Sequence, residues 1–275
     1  MHGAGNDYVC LDLFQETVRR SFSVIAKNIS QRRLNVGSDG LLLIKPWVNG
    51  DAEMLMYNPD GSIAEMCGNG LCCASKYVHD HYQKGKKQLK ILTGAGVKVA
   101  EIQTGRTGEA KKIVVNLGKP IFKGLKIPTT FNKAKVLNEK IKIGKQELSF
   151  SAVSMGNPHC VIFVDDIKNF PVAELGSKIE VHKFFPQRVN VEFVQIVNRR
   201  ELIQRTWERG AGETLACGTG GAAVAVLSHL LGHTNNKVTT HFQGGDLAFR
   251  YNGAGTVKMT GEAVEVFKGE MVSHC

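Results

Sequence analysis

Two stretches of this chain share one arrangement and lie 150 residues apart. Cys67-Gly68-Asn69-Gly70 runs into Leu71-Cys72-Cys73-Ala74-Ser75-Lys76-Tyr77-Val78, and Cys217-Gly218-Thr219-Gly220-Gly221 runs into Ala222-Ala223-Val224-Ala225-Val226-Leu227-Ser228-His229-Leu230-Leu231. Each puts a cysteine directly before Gly-x-Gly and a helical pattern directly after it. The second run stops at Gly232, a residue suited to a helix C-cap. Each cysteine therefore belongs at a helix N-terminus, where free N–H groups and the positive end of the helix dipole gather. That position is expected to favour the thiolate, which is the reactive form. A second echo supports a duplication: Gly5-Asn6 recurs as Gly156-Asn157.

The remaining pattern is many short strands and few helices. Residues 1–14 read as a turn and then a strand. Residues 21–33 read as a helix with Val24, Ile25 and Ile29 on one face, and 41–44 as a short buried strand. Residues 52–57 form a strand that ends in the strong turn signal Asn58-Pro59-Asp60-Gly61. Alternation at 97–102 implies a half-buried antiparallel sheet with 89–93 and 113–117. In the second half, strands are expected within 151–164, 189–207, 237–242, 246–251, 255–260 and 262–267. Alternating βα units are read as absent, which disfavours a doubly wound parallel sheet. The expectation is a duplicated α+β chain, with a domain crossing between residues 118 and 148.

The longest apolar run, near 222–231, is far shorter than the ~20 residues that span a bilayer. The start, Met1-His2-Gly3-Ala4, lacks the basic and apolar regions of a signal peptide. With an odd count of seven cysteines, this points to a reducing, cytoplasmic setting and no membrane partner. The net charge of +10 invites a nucleic-acid reading. Its lysines, however, fall in short runs such as Lys84-Gly85-Lys86-Lys87 without interleaved aromatics, so a solvated surface is expected and no nucleic-acid partner.

Two thiols with no visible cofactor suit proton removal from one face of a carbon acid and reprotonation on the other. A helix N-terminus contributes ~0.3–1 kcal/mol, at most ~2, or about one pK unit at ~1.4 kcal/mol per unit. Further tuning is needed, and His159 and Glu208 are the polar candidates. The N–H groups of Gly68-Asn69 and Gly218-Thr219 suit a substrate carboxylate and the charge it gains as the α-proton leaves. Arg209, beside Glu208 in a glycine turn, suits a carboxylate clamp.

Cys10, Cys160, Cys72 and Cys73 read as packing residues, Cys275 as a terminal thiol, and His79 and His81 as helix surface. A zinc set of Cys67, Cys72, Cys73 and His79 lacks paired C-x-x-C spacing, so no metal is expected. A Cys67–Cys217 disulfide stays open as an oxidised form. Neither glycine loop ends in the Lys-Ser/Thr of a P-loop.

The chain resembles the diaminopimelate epimerase family. The motifs are His2-Gly-x-Gly-Asn6-Asp7, Asn58-x-Asp60-Gly61-Ser62, Cys67-Gly-Asn-Gly70, Met155-Gly-Asn157-Pro-His159-Cys160, Val189-Asn190, and Glu208-Arg-Gly-Ala-Gly-Glu-Thr-x-Ala-Cys217-Gly-Thr-Gly220. The resemblance implies cofactor-independent, two-base interconversion of L,L- and meso-diaminopimelate, and a homodimer. It implies an α+β fold of two similar domains, each a mostly antiparallel, barrel-like sheet around a central helix, with the active site in the cleft. The domains would be 1–117 plus 262–275, and 118–261. By resemblance, Cys67 and Cys217 are the acid/base pair, and Asn6, Asn58, Asn157 and Asn190 contact substrate. Gly68, Asn69, Gly218 and Thr219 hold the reacting carboxylate, Glu208 and Arg209 hold the distal end, and His159 and Glu208 adjust the thiols. A related two-cysteine racemase of proline or hydroxyproline type is the alternative. Cys72 stands where the family carries an arginine, and Gly40 where some members carry a substrate-contacting glutamine.

Overall fold

The computed structural model describes residues 1–64 and 66–271; Cys275 lies outside the described residues. The chain divides into two compact units, Met1–Asn116 with the chain from Thr260 on, and Leu117–Met259.

The first unit opens with a hairpin of β1 (His2–Gly3) and β2 (Asn6–Asp7). Its two-residue loop, Ala4-Gly5, has φ of 50° and 80°, the pair of positive angles that a tight hairpin needs. Then come β3 (Val9–Asp12), α1 (Phe22–Ile29), β4 (Leu41–Lys45), β5 (Ala52–Tyr57) and β6 (Ile63–Ala64). After α2 (Gly68–His81) the unit continues through β7 (Gln88–Thr93), β8 (Gly96–Thr104) and β9 (Ala110–Asn116).

The second unit begins with β10 (Val136–Ile143) and β11 (Gln146–Ser154). It proceeds through β12 (Pro158–Phe163), α3 (Val172–Glu180), β13 (Asn190–Asn198), β14 (Glu201–Glu208) and β15 (Gly212–Thr214). α4 (Gly218–Leu230), β16 (Lys237–Phe242) and β17 (Gly245–Arg250) follow, and β18 (Lys258–Gly261) carries the chain from Met259 of the second unit to Thr260 of the first.

From β12 to β17 the second unit repeats β3 to β8 of the first, element for element and pairing for pairing. β3–β4 and β12–β13 are parallel, as are β5–β7 and β14–β16; β4–β5, β7–β8 and their counterparts are antiparallel. Each parallel pair needs a crossover, and a helix supplies it every time. The expected absence of βα units is therefore wrong. Each unit holds two, inside a sheet that stays mostly antiparallel.

The layering explains the apolar runs. All four of Leu41, Leu42, Leu43 and Ile44 are fully buried. Leu41 and Leu43 pack with Ala26 and Ile29 of α1, while Leu42 lies under Gly70 of α2. A strand covered on both faces reads as an unbroken hydrophobic run. In the second unit Val191 and Phe193 pack with Leu175 and Ile179 of α3. The residue between them, Glu192, faces α4 at Gly220. α4 packs against β11, β12, β13, β16 and β17, and a helix enclosed this way must be apolar all round.

Four local expectations are corrected. Val24 is 52% exposed; the buried stripe of α1 runs through Ala26 and Ile29 with Phe22 and Ile25 beside them, the i, i+3, i+4, i+7 spacing. α3 was not anticipated. Residues 262–267 give no strand beyond a single bridge, His2 to Val264. His79 is fully buried: its Nε2 accepts from Gly85 N–H at 3.3 Å, so its Nδ1–H donates to Asp80 at 2.7 Å. Among the described residues no helix is long and apolar enough to cross a membrane.

Candidate active site

Each unit carries half of the expected site at the start of its enclosed helix. In the first, Cys67 is the N-cap of α2, with φ −135° and ψ 124°. Extended backbone there lets the carbonyl begin the helix, and Leu71 N–H donates to it at 2.9 Å. The side chain also caps: Gly70 N–H donates to Cys67 Sγ at 3.4 Å. The Tyr8 hydroxyl lies 3.0 Å from the same sulfur. Asn6 is half-buried in β2, on the hairpin that packs against α2. Asn58 opens a turn closed by Gly61 N–H at 2.9 Å, and its Nδ2 donates to Ser62 Oγ at 2.9 Å. Asn69 is 2% exposed, and its Oδ1 has no hydrogen-bond partner among the described residues. Gly40 is dictated by backbone: a Cβ there would meet the Tyr57 carbonyl oxygen at 2.7 Å.

In the second unit Cys217 is the N-cap of α4, with φ −127° and ψ 108°. Its surroundings include two carboxylates, Glu208 and Glu192, beside the donors Thr219 and the Gly220 N–H. Glu208, at the end of β14, takes a hydrogen bond from Thr214 Oγ1 at 2.6 Å, and its carboxylate acts on the Cys217 thiol. Thr219 Oγ1 lies 3.6 Å from the sulfur. Burial pushes the Cys217 thiol well up, and the Glu208 and Glu192 carboxylates add to it. The expected thiolate bias is thus reversed at Cys217. A helix N-terminus is worth about one unit, whereas full burial can move a group by up to about 3–5. Burial also raises the Glu208 carboxyl, opposed by its bond to Thr214.

Behind Cys217 runs a buried chain. Asn157 Nδ2 donates to Thr219 Oγ1 at 3.3 Å. That leaves Asn157 Oδ1 to accept from His159 Nε2–H at 2.9 Å. His159 Nδ1 meets Glu192 Oε1 at 2.8 Å, and both side chains are fully buried. Burial raises the Glu192 carboxyl against the pull of His159. The pair keeps one shared proton between His159 Nδ1 and Glu192. Gly220 lets α4 close on this bed, since a Cβ would come 2.7 Å from Glu192 Oε1 and 3.2 Å from Gln204 Nε2.

Asn190 is engaged twice by main chain: Nδ2 donates to the Pro158 carbonyl at 2.9 Å, and Oδ1 accepts from Arg209 N–H at 2.9 Å. Arg209 is exposed, its guanidinium donating to the Gln187 carbonyl at 3.3 Å. Glu180, on the unanticipated α3, accepts from Gly210 N–H at 3.0 Å and from Trp207 Nε1–H at 2.8 Å, and so fixes the Glu208-Arg209-Gly210 turn. Tyr8, Glu180 and Glu192 are the residues that sequence reasoning missed. Tyr8 and Glu192 had signals: Tyr8 follows Asn6 as His159 follows Asn157, and Glu192 is a lone acid in an apolar strand.

Cys217 is a free thiol. Among the described residues no three His, Cys, Asp or Glu side chains converge to hold a metal.

The diaminopimelate epimerase family profile matches residues 1–123 and 151–266. The diaminopimelate epimerase of Leptospira biflexa is 47% identical over 272 residues, covering 98% of this chain and 97% of that protein. That of Methanococcus maripaludis is 42% identical over 272 residues, covering 98% of each. Among solved structures, a PhzF-family phenazine biosynthesis protein of Bacillus anthracis aligns with TM-score 0.71 at 15% identity, covering 98% of this chain and 97% of that one. A hydroxyproline epimerase from Agrobacterium vitis aligns with TM-score 0.66 at 14% identity, covering 95% and 86%. At such identities the structural likeness speaks for the fold, whereas the sequence match covers nearly the whole chain and both cysteine junctions. The chain belongs to the diaminopimelate epimerase family.

Proposed function

We propose that this protein interconverts L,L- and meso-diaminopimelate without a cofactor, in lysine and peptidoglycan precursor biosynthesis, with Cys67 and Cys217 acting on one α-carbon as base and acid. The observation that carries this reading is the matched pair of half-sites, each a cysteine N-capping a buried helix behind Gly-x-Gly, in a chain of this family. A thiolate removes the α-proton while a thiol delivers one to the opposite face, and the return reaction exchanges the roles. Cys217, held as a thiol, suits the donor.

Free N–H groups at Gly68-Asn69 and Gly218-Thr219 suit the reacting carboxylate and the charge that spreads onto it. Arg209 and Glu208 suit the carboxylate and ammonium of the distal amino-acid end. A proline-type substrate has no such end, and only distant structural relatives point that way. Asn6, Asn58 and Asn157 are proposed substrate contacts. Asn190 is proposed to act by holding the Arg209 backbone while keeping one Nδ2–H for substrate. The reading also includes a homodimer in the cytoplasm.

The test is α-proton exchange in heavy water with purified protein and L,L-diaminopimelate. Deuterium entering the α-position together with meso product is the expected result. Absence of both sinks the reading.

A further inference from the structure

The two units place different side chains at matching positions around their cysteines. Tyr8 stands two residues after Asn6, as His159 stands two after Asn157. Leu42 pairs with Cys10 in β4 as Glu192 pairs with Val161 in β13. Asn58 follows β5 as Glu208 ends β14. In the second unit the ring at this position turns toward Asn157 and Glu192, and the sulfur faces a carboxylate. In the first unit the ring reaches the sulfur itself. Tyr8 is 2% exposed, with its hydroxyl 3.0 Å from Cys67 Sγ.

We propose that Tyr8 is the positioning residue of Cys67, its O–H donating to the sulfur and, with the Gly70 N–H, holding the thiolate at the head of α2. This rests on Cys67 being one of the two acid/base groups.

Direction follows from which atom keeps its proton. Burial pushes the Tyr8 phenol well up, with Cys67, Cys73 and Asp39 adding to it. Tyr8 therefore stays protonated and can only donate to an ionised neighbour. The Cys72 and Cys73 thiols near Cys67 are both buried and both raised by burial, so neither competes as an anion. Opposite Gly70 the bed is apolar, with Leu42 Cδ2 3.2 Å from the position of a Cβ. The Tyr8 hydroxyl and the Gly70 N–H both lie against Cys67 Sγ, whereas the Cys217 thiol is pushed up by burial and by the Glu208 and Glu192 carboxylates. With the Cys67 thiolate held by donors and Cys217 held as a thiol, the pair has the arrangement that a two-base exchange starts from.

The test is the pH dependence of iodoacetamide alkylation in the intact chain, read separately at Cys67 and Cys217 by peptide mass mapping. In Tyr8→Phe, which removes one oxygen and keeps the ring, the Cys67 midpoint is expected to rise by roughly one pH unit. The Cys217 profile is expected to stay where it was. Site-specific 3-fluorotyrosine at position 8, a stronger donor of nearly the same volume, moves the Cys67 midpoint down and serves if the phenylalanine variant folds poorly. Cys67 profiles that superimpose across these forms overturn the proposal, as does a fall in Tyr8→Phe. Neither result bears on whether Cys67 is needed for turnover, which Cys67→Ala tests separately.

Discussion

His159 Nδ1 lies 2.8 Å from Glu192 Oε1 at the bottom of the second unit, and neither side chain reaches solvent. Because His159 Nε2–H is committed to Asn157, this contact fixes which face of the Asn157 amide points toward Thr219. An acid one strand inward thereby orients an asparagine proposed to touch substrate.

Glu192→Leu should cost about 3–5 kcal/mol, the usual penalty for removing one member of a buried pair. The double variant Glu192→Leu/His159→Leu should be markedly more stable than the sum of the single changes, because no orphaned group remains. Urea denaturation of the four forms measures this. Strict additivity would show that the two side chains do not act as a pair.

Glu208→Gln should make Cys217 more reactive and the enzyme worse. Burial is the largest cause of the raised Cys217 thiol, and the Glu208 carboxylate comes next. Removing that negative charge lowers the thiol by an expected one unit or so, or about tenfold faster iodoacetamide alkylation near neutral pH. Epimerisation should fall at the same time, since the distal ammonium loses its partner. Slower alkylation in the variant would contradict the geometry.

Much of this was legible before any coordinates. Cys67-Gly-x-Gly and Cys217-Gly-x-Gly located both helix starts, because a glycine-rich turn followed by an apolar run has few other solutions. The parallel crossovers were harder to see. β3 and β12 are separated from their parallel partners β4 and β13 along the chain by α1 and α3, and a nine-residue helix such as Val172–Glu180 leaves little periodicity to detect. Nor does position in a motif report burial. An N-cap position supplies a dipole that any helix has, whereas the Cys217 thiol answers to its burial and to the Glu208 and Glu192 carboxylates, which come from separate strands.

Asp80 should contribute stability that disappears in acid. Its carboxylate accepts from Lys76 Nζ at 2.8 Å, His79 Nδ1–H at 2.7 Å and Ala110 N–H at 2.7 Å, tying α2 to β9. Burial opposes ionisation, but these donors outweigh it and hold the carboxyl below its ordinary value. A depressed folded-state value means the contribution is complete above the unfolded value near 3.9 and is lost as pH falls through the folded one. Asp80→Asn should cost ~1–3 kcal/mol at pH 7, and the gap in melting temperature should narrow below about pH 4. A gap that stays constant with pH would mean that the carboxylate charge contributes nothing.

Alanine at the two matched glycines should separate the half-sites. At Gly70 the nearest atom to a new Cβ is Leu42 Cδ2 at 3.2 Å, the end of an apolar side chain that can shift by a few tenths of an ångström. Ala also gains ~0.5–1 kcal/mol over Gly within a helix, so Gly70→Ala should be close to neutral for stability. At Gly220 the same methyl meets Glu192 Oε1 at 2.7 Å, and that oxygen is already bonded to His159. Moving it breaks the pair, and keeping it lifts the first turn of α4 and carries Cys217 with it. Overpacking of this kind costs about 1–3 kcal/mol, and displacing the sulfur should lower kcat more than it raises KM. Thermal melts and steady-state kinetics on both variants decide the matter. Equal losses at Gly70 and Gly220 would mean that the polar bed under Cys217 has no special hold on the helix above it.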